Sequence, residues 1–289
     1  MTLQGFWRST HDPQRIMQVQ VNSWHEQEQR QREDLLTVEE PFEIRIAGRS
    51  LAVIMRTPGN DAELAMGFLF TEGIIQSAQD VLKIEDALDD DGLPLANVVN
   101  VVLSKTQQSE NMQVHAGAFE RHFAVSSSCG LCGKNSIADL MCATPPLESD
   151  TLRIPAATLY ELSERLHAEQ AVFSHTGGLH AAGLFSQEGE LLLLREDVGR
   201  HNAVDKLIGY GLLHNTYPYN RHILLVSGRT SFEILQKALL ARIPYVVAIS
   251  APSSLAVELA ASGGITLVGF LRGHSMNAYT HPERIIPAV

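Results

Sequence analysis

Hydrophobic and polar positions first fall into register near Pro41. Phe42, Ile44 and Ile46 alternate with polar neighbours, and Leu51 to Met55 repeats the apolar run after Ala47-Gly48-Arg49. A period of two marks half-buried strands, and a glycine turn between two such runs predicts a β-hairpin. Thr57-Pro58-Gly59-Asn60-Asp61 then breaks the pattern. Leu64, Ala65, Phe68 and Leu69 follow at helical spacing, with Asp61 placed to cap the helix. The acidic stretch Glu85 to Pro94 reads as a loop, Asn97 to Leu103 as a β-branched strand, and Phe119 to Val125 as a weaker strand. Ile137, Leu140 and Met141 suggest a further helix. Before Pro41, residues 9–40 are rich in Gln and Glu and carry no apolar period. That composition predicts a mobile arm, or a helix that orders only on a partner.

From Leu152 the rhythm changes. A helix is predicted over 156–168, strands over 180–185 and 191–194, and a helix over 202–213. Strands over 222–226, 245–249 and 265–270 then alternate with helices over 232–241 and 255–261. Repeated β-α-β units predict an α/β domain with a mostly parallel sheet and helices on both faces. The expected organisation is an arm over 1–40, a smaller β-rich α+β domain over 41–125, a loop and helix over 126–150, and the α/β domain over 151–289.

Composition narrows the function. Of 289 residues, 45% are hydrophobic and 19% charged, as in an ordinary globular protein. The 33 acidic side chains outnumber the 22 basic ones, giving a formal charge of −11. That balance argues against non-specific binding to nucleic acid or an anionic membrane. No apolar run reaches the ~18–20 residues of a membrane span, and the start resembles no signal peptide. Three cysteines make no disulfide framework, and reduced thiols predict a cytoplasmic protein.

Open α/β sheets place ligands beyond the carboxyl ends of their strands. Three segments are expected there: Arg195 to Asn202, Ser227-Gly228-Arg229-Thr230-Ser231, and Leu271-Arg272-Gly273-His274-Ser275. Each combines glycine, arginine and a hydroxyl or amide donor, which suits a phosphate-bearing ligand. Each also has a structural reading. Thr230 with Glu233 makes a capping box, and Asp197 pairs with Arg200 on the surface. Neither a Walker-type nor a dinucleotide-type glycine motif occurs, so a P-loop NTPase and an ordinary dehydrogenase are excluded.

The sharpest feature is Cys129-Gly130-Leu131-Cys132-Gly133-Lys134. Two thiols three residues apart bind metal, exchange disulfides or carry sulfur, and each use needs thiolate. Structural zinc needs four ligands, and no second pair accompanies this one; Cys142 and the 12 histidines repeat no ligand spacing. In zinc deaminases His-x-Glu precedes Pro-Cys-x-x-Cys, whereas His167-Ala168-Glu169 follows the thiols here and Ser128 precedes Cys129. A glycine-serine loop suits thiols that must reach two partners, as in sulfur relay.

Ser127 to Gly133, Glu196 to Lys206 and Ser227 to Glu233 resemble signatures of the FdhD family. Thr57-Pro58-Gly59 with Glu63 to Leu69, and Thr176 to Ala182, resemble it too. The resemblance runs from about Pro41 to the C-terminus. It implies a three-layer αβα, cytidine-deaminase-like C-terminal domain without the zinc machinery. It implies a sulfur carrier that takes persulfide sulfur from a cysteine desulfurase. The sulfur passes to the molybdenum bis(molybdopterin guanine dinucleotide) cofactor of formate dehydrogenase. Cys129 would hold the persulfide, with Lys134 lowering its pKa, and Cys132 would accept the sulfur or release it as a disulfide forms. No resident metal is implied.

The same resemblance places cofactor binding at Phe270, Leu271, Arg272, Gly273, His274 and Ser275. Phe270 can stack on a flat base, and Arg272 can hold phosphate. Asp197, Arg200, His201, Arg229 and Thr230 extend the expected pocket, with Asp197 suited to accept from guanine. Guanine nucleotide should bind as an analogue. A cofactor with two guanine dinucleotides suits a two-fold homodimer. The competing readings are an insertion chaperone that does no sulfur chemistry and a zinc-stabilised binding module.

Overall fold

The computed structural model describes residues 14–104, 123–124, 145–148 and 152–287. The described residues open with a ribbon of β1 (Ile16–His25) and β2 (Glu28–Thr37), antiparallel and in register from Ile16–Thr37 to His25–Glu28. The expectation of an arm over 1–40 is therefore corrected for this stretch. Beyond its base the ribbon faces water on both sides, so no alternating apolar pattern marks it. Its base is fixed: Ile16 packs with Val172 and Leu179, and the Thr37 and Thr176 hydroxyls lie 2.9 Å apart.

Next come β3 (Glu40–Ile46), β4 (Arg49–Arg56), α1 (Asp61–Thr71), β5 (Val81–Leu88), β6 (Pro94–Leu103) and β7 (Phe123–Ala124). The strands form a five-stranded sheet in the order β5-β6-β3-β4-β7. The predicted hairpin is β3–β4. The stretch read as a loop from Glu85 is strand to Leu88, because β5 is an edge strand with little buried apolar surface. The turn begins only at Asp89, whose carboxylate accepts the backbone N–H groups of Asp91 and Leu93. Asp61 is the first helical residue rather than the cap. The N-cap is Asn60, and the Asp61 carboxylate is drawn to Arg56 by two bonds of 3.0 and 2.9 Å.

The second half contains β8 (Ile154–Pro155), α2 (Ala156–Glu169), α3 (Phe173–Thr176), β9 (His180–Phe185), β10 (Leu191–Asp197) and α4 (Arg200–Leu213). It continues through β11 (Ile223–Val226), α5 (Phe232–Leu240), β12 (Tyr245–Ala248), α6 (Ser254–Gly263), β13 (Thr266–Arg272), β14 (Ser275–Ala278) and β15 (Ile285–Ile286). Six strands form a sheet in the order β10-β9-β11-β12-β13-β14. Only β11–β12 and β12–β13 pair in parallel; the other three pairings are antiparallel. The sheet is mixed, which corrects the mostly parallel expectation. β9 and β10 form a hairpin rather than a crossover, and β14, unforeseen, adds a second hairpin at the opposite edge.

Strand alternation buries both faces of this sheet. Leu184, Leu224, Val246 and Leu267 join a cluster with α4, α5 and α6, while Phe185, Leu225, Val247 and Val268 pack with Leu159, Leu162 and Leu166 of α2. The first cluster also contains Phe42, Ile44, Val101 and Leu64, so the five-stranded sheet and α1 share its core. Two glycines permit that union. A Cβ on Gly67 would lie 1.9 Å from the Asp205 carbonyl oxygen, and one on Gly209 would lie 1.8 Å from that of Glu63. Any side chain at either position would push α1 and α4 apart.

Candidate functional site

β10, β11, β12 and β13 share one direction, so their carboxyl ends meet along one edge. Three expected loops converge there. Gly228 lies against His180 and Arg200: its Cβ would stand 3.2 Å from His180 Nδ1 and 3.5 Å from Arg200 Cδ. Thr230 N–H donates to the Ala251 carbonyl at 3.2 Å, and Phe270 N–H donates to the Ser250 carbonyl at 3.1 Å. The residues after β12 thus join the second loop to the third.

The segment Glu196 to Lys206 divides into residues that hold the fold and residues left facing this edge. The Glu196 carboxylate accepts the Val172 and Phe173 N–H groups at 3.2 and 2.9 Å. Asp197 is fully buried, not a surface partner of Arg200. It accepts from Thr57 N–H, Gly199 N–H, Asn202 Nδ2 and Lys206 Nζ, the last at 2.7 Å. With both oxygens so engaged, Asp197 anchors the β4–α1 loop and is not poised to read a base. Lys206 also donates to the Thr57 carbonyl at 2.9 Å, and Asn202 to that of Met55 at 2.8 Å. Burial depresses the Lys206 ammonium more than Asp197 supports it. Deeper in the core, Lys237 donates to both Asp205 oxygens at 2.8 and 2.9 Å, and to Thr71.

Arg200 and His201 are different. Arg200 Nε is buried with no hydrogen-bond partner, and so is the Thr230 hydroxyl. His201 Nε2 lies 3.4 Å from Ser231 Oγ and 3.9 Å from Glu233. Burial, then the charges of Lys237 and Arg200, push His201 down to about 4, so it is neutral near pH 7. Burial and Arg200 likewise lower His180. Burial alone would raise Glu233, but the Ser231 hydroxyl, its own N–H and the neighbouring charges outweigh that and hold it low. Thr230 does not cap α5; Ser231 occupies that position. Neither Ser231 nor Gly199, at the start of α4, caps its helix with a side-chain hydrogen bond. Two helix starts, a guanidinium with a spare donor and a buried hydroxyl make an arrangement suited to an anion.

The β13–β14 turn supplies a second kind of surface. The ladder slips between Gly269 and Arg272, and Phe270 takes a left-handed φ of 53°. An aromatic residue seldom adopts that conformation, and such strain collects at functional positions. It leaves Phe270 37% exposed while Leu271 is fully buried and fastens the turn. The Arg272 guanidinium lies 5.9 Å from the Phe270 ring centre, and the His274 ring meets Tyr160 edge-on. Arg229, Gly273 and Ser275 are exposed nearby on these loops.

Cys129, Cys132, Lys134 and Cys142, with the helix expected near Ile137, lie outside the described residues. The chain is described again at Pro145 and Pro146, whose carbonyls accept from Arg242, and at Leu147, whose N–H donates to Gly263. Among the described residues no helix is long and apolar enough to cross a membrane, and no group of His, Cys, Asp and Glu could hold a metal ion. His180 and Asp205 lie within the Thr176 to Ala182 and Glu196 to Lys206 segments of the resemblance, but the sequence assigns no site role to either, nor to Thr71 and Lys237.

Comparison with known proteins is consistent across three measures. A sulfur carrier protein FdhD from Streptomyces coelicolor is 49% identical over 258 residues, covering 88% of this chain and 90% of that one. Its namesake from Sulfolobus acidocaldarius is 46% identical over 253 residues, covering 88% and 92%. A crystal structure from Desulfotalea psychrophila, assigned as a formate dehydrogenase accessory protein, matches with a TM-score of 0.72. It covers 94% of this chain and all of that one at 24% identity, and so shares the fold. Residues 37–286 match the model of the FdhD/NarQ family, and the chain belongs to that family.

Proposed function

We propose that this protein is a sulfur carrier that works through Cys129 and serves a formate dehydrogenase. The observation that carries this reading is the family match over residues 37–286, which spans Cys129-Gly130-Leu131-Cys132. Relatives covered over nine-tenths of their length are named sulfur carriers. The donor is a cysteine desulfurase. Cys129 thiolate attacks the terminal sulfur of the donor's persulfide, the S–S bond breaks, and the donor leaves as thiolate. For delivery, Cys132 thiolate attacks the inner sulfur of the Cys129 persulfide. A Cys129–Cys132 disulfide forms and hydrosulfide is released to the acceptor. The two thiols supply the two electrons, and an external thiol then reduces the disulfide.

The acceptor substrate is the molybdenum bis(molybdopterin guanine dinucleotide) cofactor. Phe270 offers a face for a flat ring, and Arg272 a cation beside it. Arg200, the Thr230 hydroxyl and the starts of α4 and α5 suit the diphosphate. His201, neutral at pH 7, adds a hydrogen-bonding group without adding charge. A two-fold homodimer would offer one such surface to each guanine dinucleotide. The test is intact-protein mass spectrometry after incubation with an active cysteine desulfurase and cysteine. A reducible gain of sulfur, lost in Cys129→Ala, is expected. No adduct on the wild type would remove the sulfur-carrier reading in favour of an insertion chaperone.

A further inference from the structure

We propose that the cleft between the β1–β2 ribbon and the five-stranded sheet docks an extended basic segment of a protein partner. This inference rests on a different surface from the sulfur-carrier reading and stands without it. The cleft encloses about 970 Å³. One wall is the β1 strand at Ile16, Met17 and Gln18; the other is the Pro58 to Asp61 turn with Asn97. β1 pairs only with β2, so among the described residues its far edge has no strand partner. A free edge beside a cleft is where an extended peptide adds main-chain hydrogen bonds.

Charge decides which peptide fits. Arg56 is the one basic side chain lining the cleft among the described residues, and it is 2% exposed. It donates to Glu40 at 3.3 Å and to both Asp61 oxygens. Glu40 and Asp61 remain 41% and 30% exposed. The cleft therefore presents two partly exposed carboxylates over one buried guanidinium, with Glu40 the most exposed charge lining it. Arg15, whose side chain abuts Gly59, donates away from it to the Glu196 carbonyl at 3.2 Å. A lysine or arginine side chain would lay its stem on Met17, Val38 and Pro58 and set its head against Glu40. The far wall is fixed in advance. Asn60 and Asn97 hold left-handed φ values of 60° and 62°, and Asn97 Oδ1 accepts from Arg56 at 2.8 Å.

The test uses the full chain and three fluorescein-labelled hexapeptides that alternate valine with arginine, glutamine or glutamate. Fluorescence anisotropy should show saturable binding of the arginine peptide, at least roughly tenfold tighter than the glutamine peptide. The glutamate peptide should not bind. Glu40→Gln should weaken the arginine peptide roughly tenfold. Gln18→Lys should do the same by repulsion, without touching the Arg56 bonds, so a folding defect at Glu40 cannot imitate the result. Glu164→Gln, on the exposed side of α2, should change nothing. Equal binding of all peptides, or equal binding by all variants, would reduce the effect to overall charge and overturn the proposal. So would an affinity that falls as protein concentration rises, since a second copy of the chain would then own the cleft.

Discussion

Lys206 Nζ sits 2.7 Å from an Asp197 oxygen, with the two side chains 1% and 0% exposed. This buried pair ties α4 to the Thr57 loop, and with it the two halves of the chain. A charge left alone in such a place costs far more than the intact pair contributes. Asp197→Ala should therefore lower unfolding stability by about 3–5 kcal/mol. Urea denaturation followed by circular dichroism measures this; a loss under about 1 kcal/mol would show that water reaches Lys206 and relieves it.

The α1–α4 crossing makes a sharper demand. Gly209→Ala would set a methyl 1.8 Å from the Glu63 carbonyl, which no rotamer can avoid. We expect a loss of at least about 3 kcal/mol, seen as insoluble protein or a collapsed melting transition. Gly48→Ala is the control. Nothing lies within 4 Å of its Cβ and its φ is 77°, so only the turn strain of about 1 kcal/mol applies.

How much of this was written legibly in the chain follows from the same physics. The β3–β4 hairpin and the strands β11 to β13 declared themselves because they pack against a core that demands period or continuity. The β1–β2 ribbon did not, because most of its residues meet water on both faces. The second half of β5, from Glu85, reads as a loop for the same reason. The site was half legible. Arginine and glycine marked the loops at the sheet's edge, and Arg200, Phe270 and Arg272 stand there. Asp197 looked like a ligand because a carboxylate in a glycine loop has the same spelling whether it faces a base or a buried lysine. Only the fold reveals that its acceptor sites are taken.

His201 gives the fold a pH signature. Its folded value is about 4 against an ordinary 6.5, so between these values the unfolded chain binds a proton that the native chain does not. Stability then rises with pH across that window: the contribution is complete above about 6.5 and is lost as pH falls towards 4. The size is at most roughly 3 kcal/mol, and His180 adds in the same direction. Lys237, Arg200, Glu233 and His180 all act on this ring, so its neighbours must be kept. His201→Gln, neutral at every pH, should flatten the dependence of unfolding free energy between pH 7 and 4.5. An unchanged slope would mean that His201 is solvated and titrates normally.

Phe270 separates binding from stability. Its left-handed φ of 53° is a strain that glycine does not feel, and Phe270 is 37% exposed, which leaves it open to the stacking role proposed for it. Phe270→Gly should therefore act in opposite senses. The free protein should gain up to about 1 kcal/mol as the strain is relieved, while affinity for guanosine diphosphate should fall roughly tenfold with the loss of stacking. Arg272→Ala and Arg200→Gln should weaken the same nucleotide without stabilising the fold, because neither backbone is strained. The readout is the melting temperature with and without nucleotide, since a ligand at a hundred times its Kd adds about 2.7 kcal/mol to a native state that alone binds it. If Phe270→Gly melts higher and still responds fully to nucleotide, the turn's strain serves the hairpin and not the base. The binding surface would then lie with Arg200 and the helix starts alone.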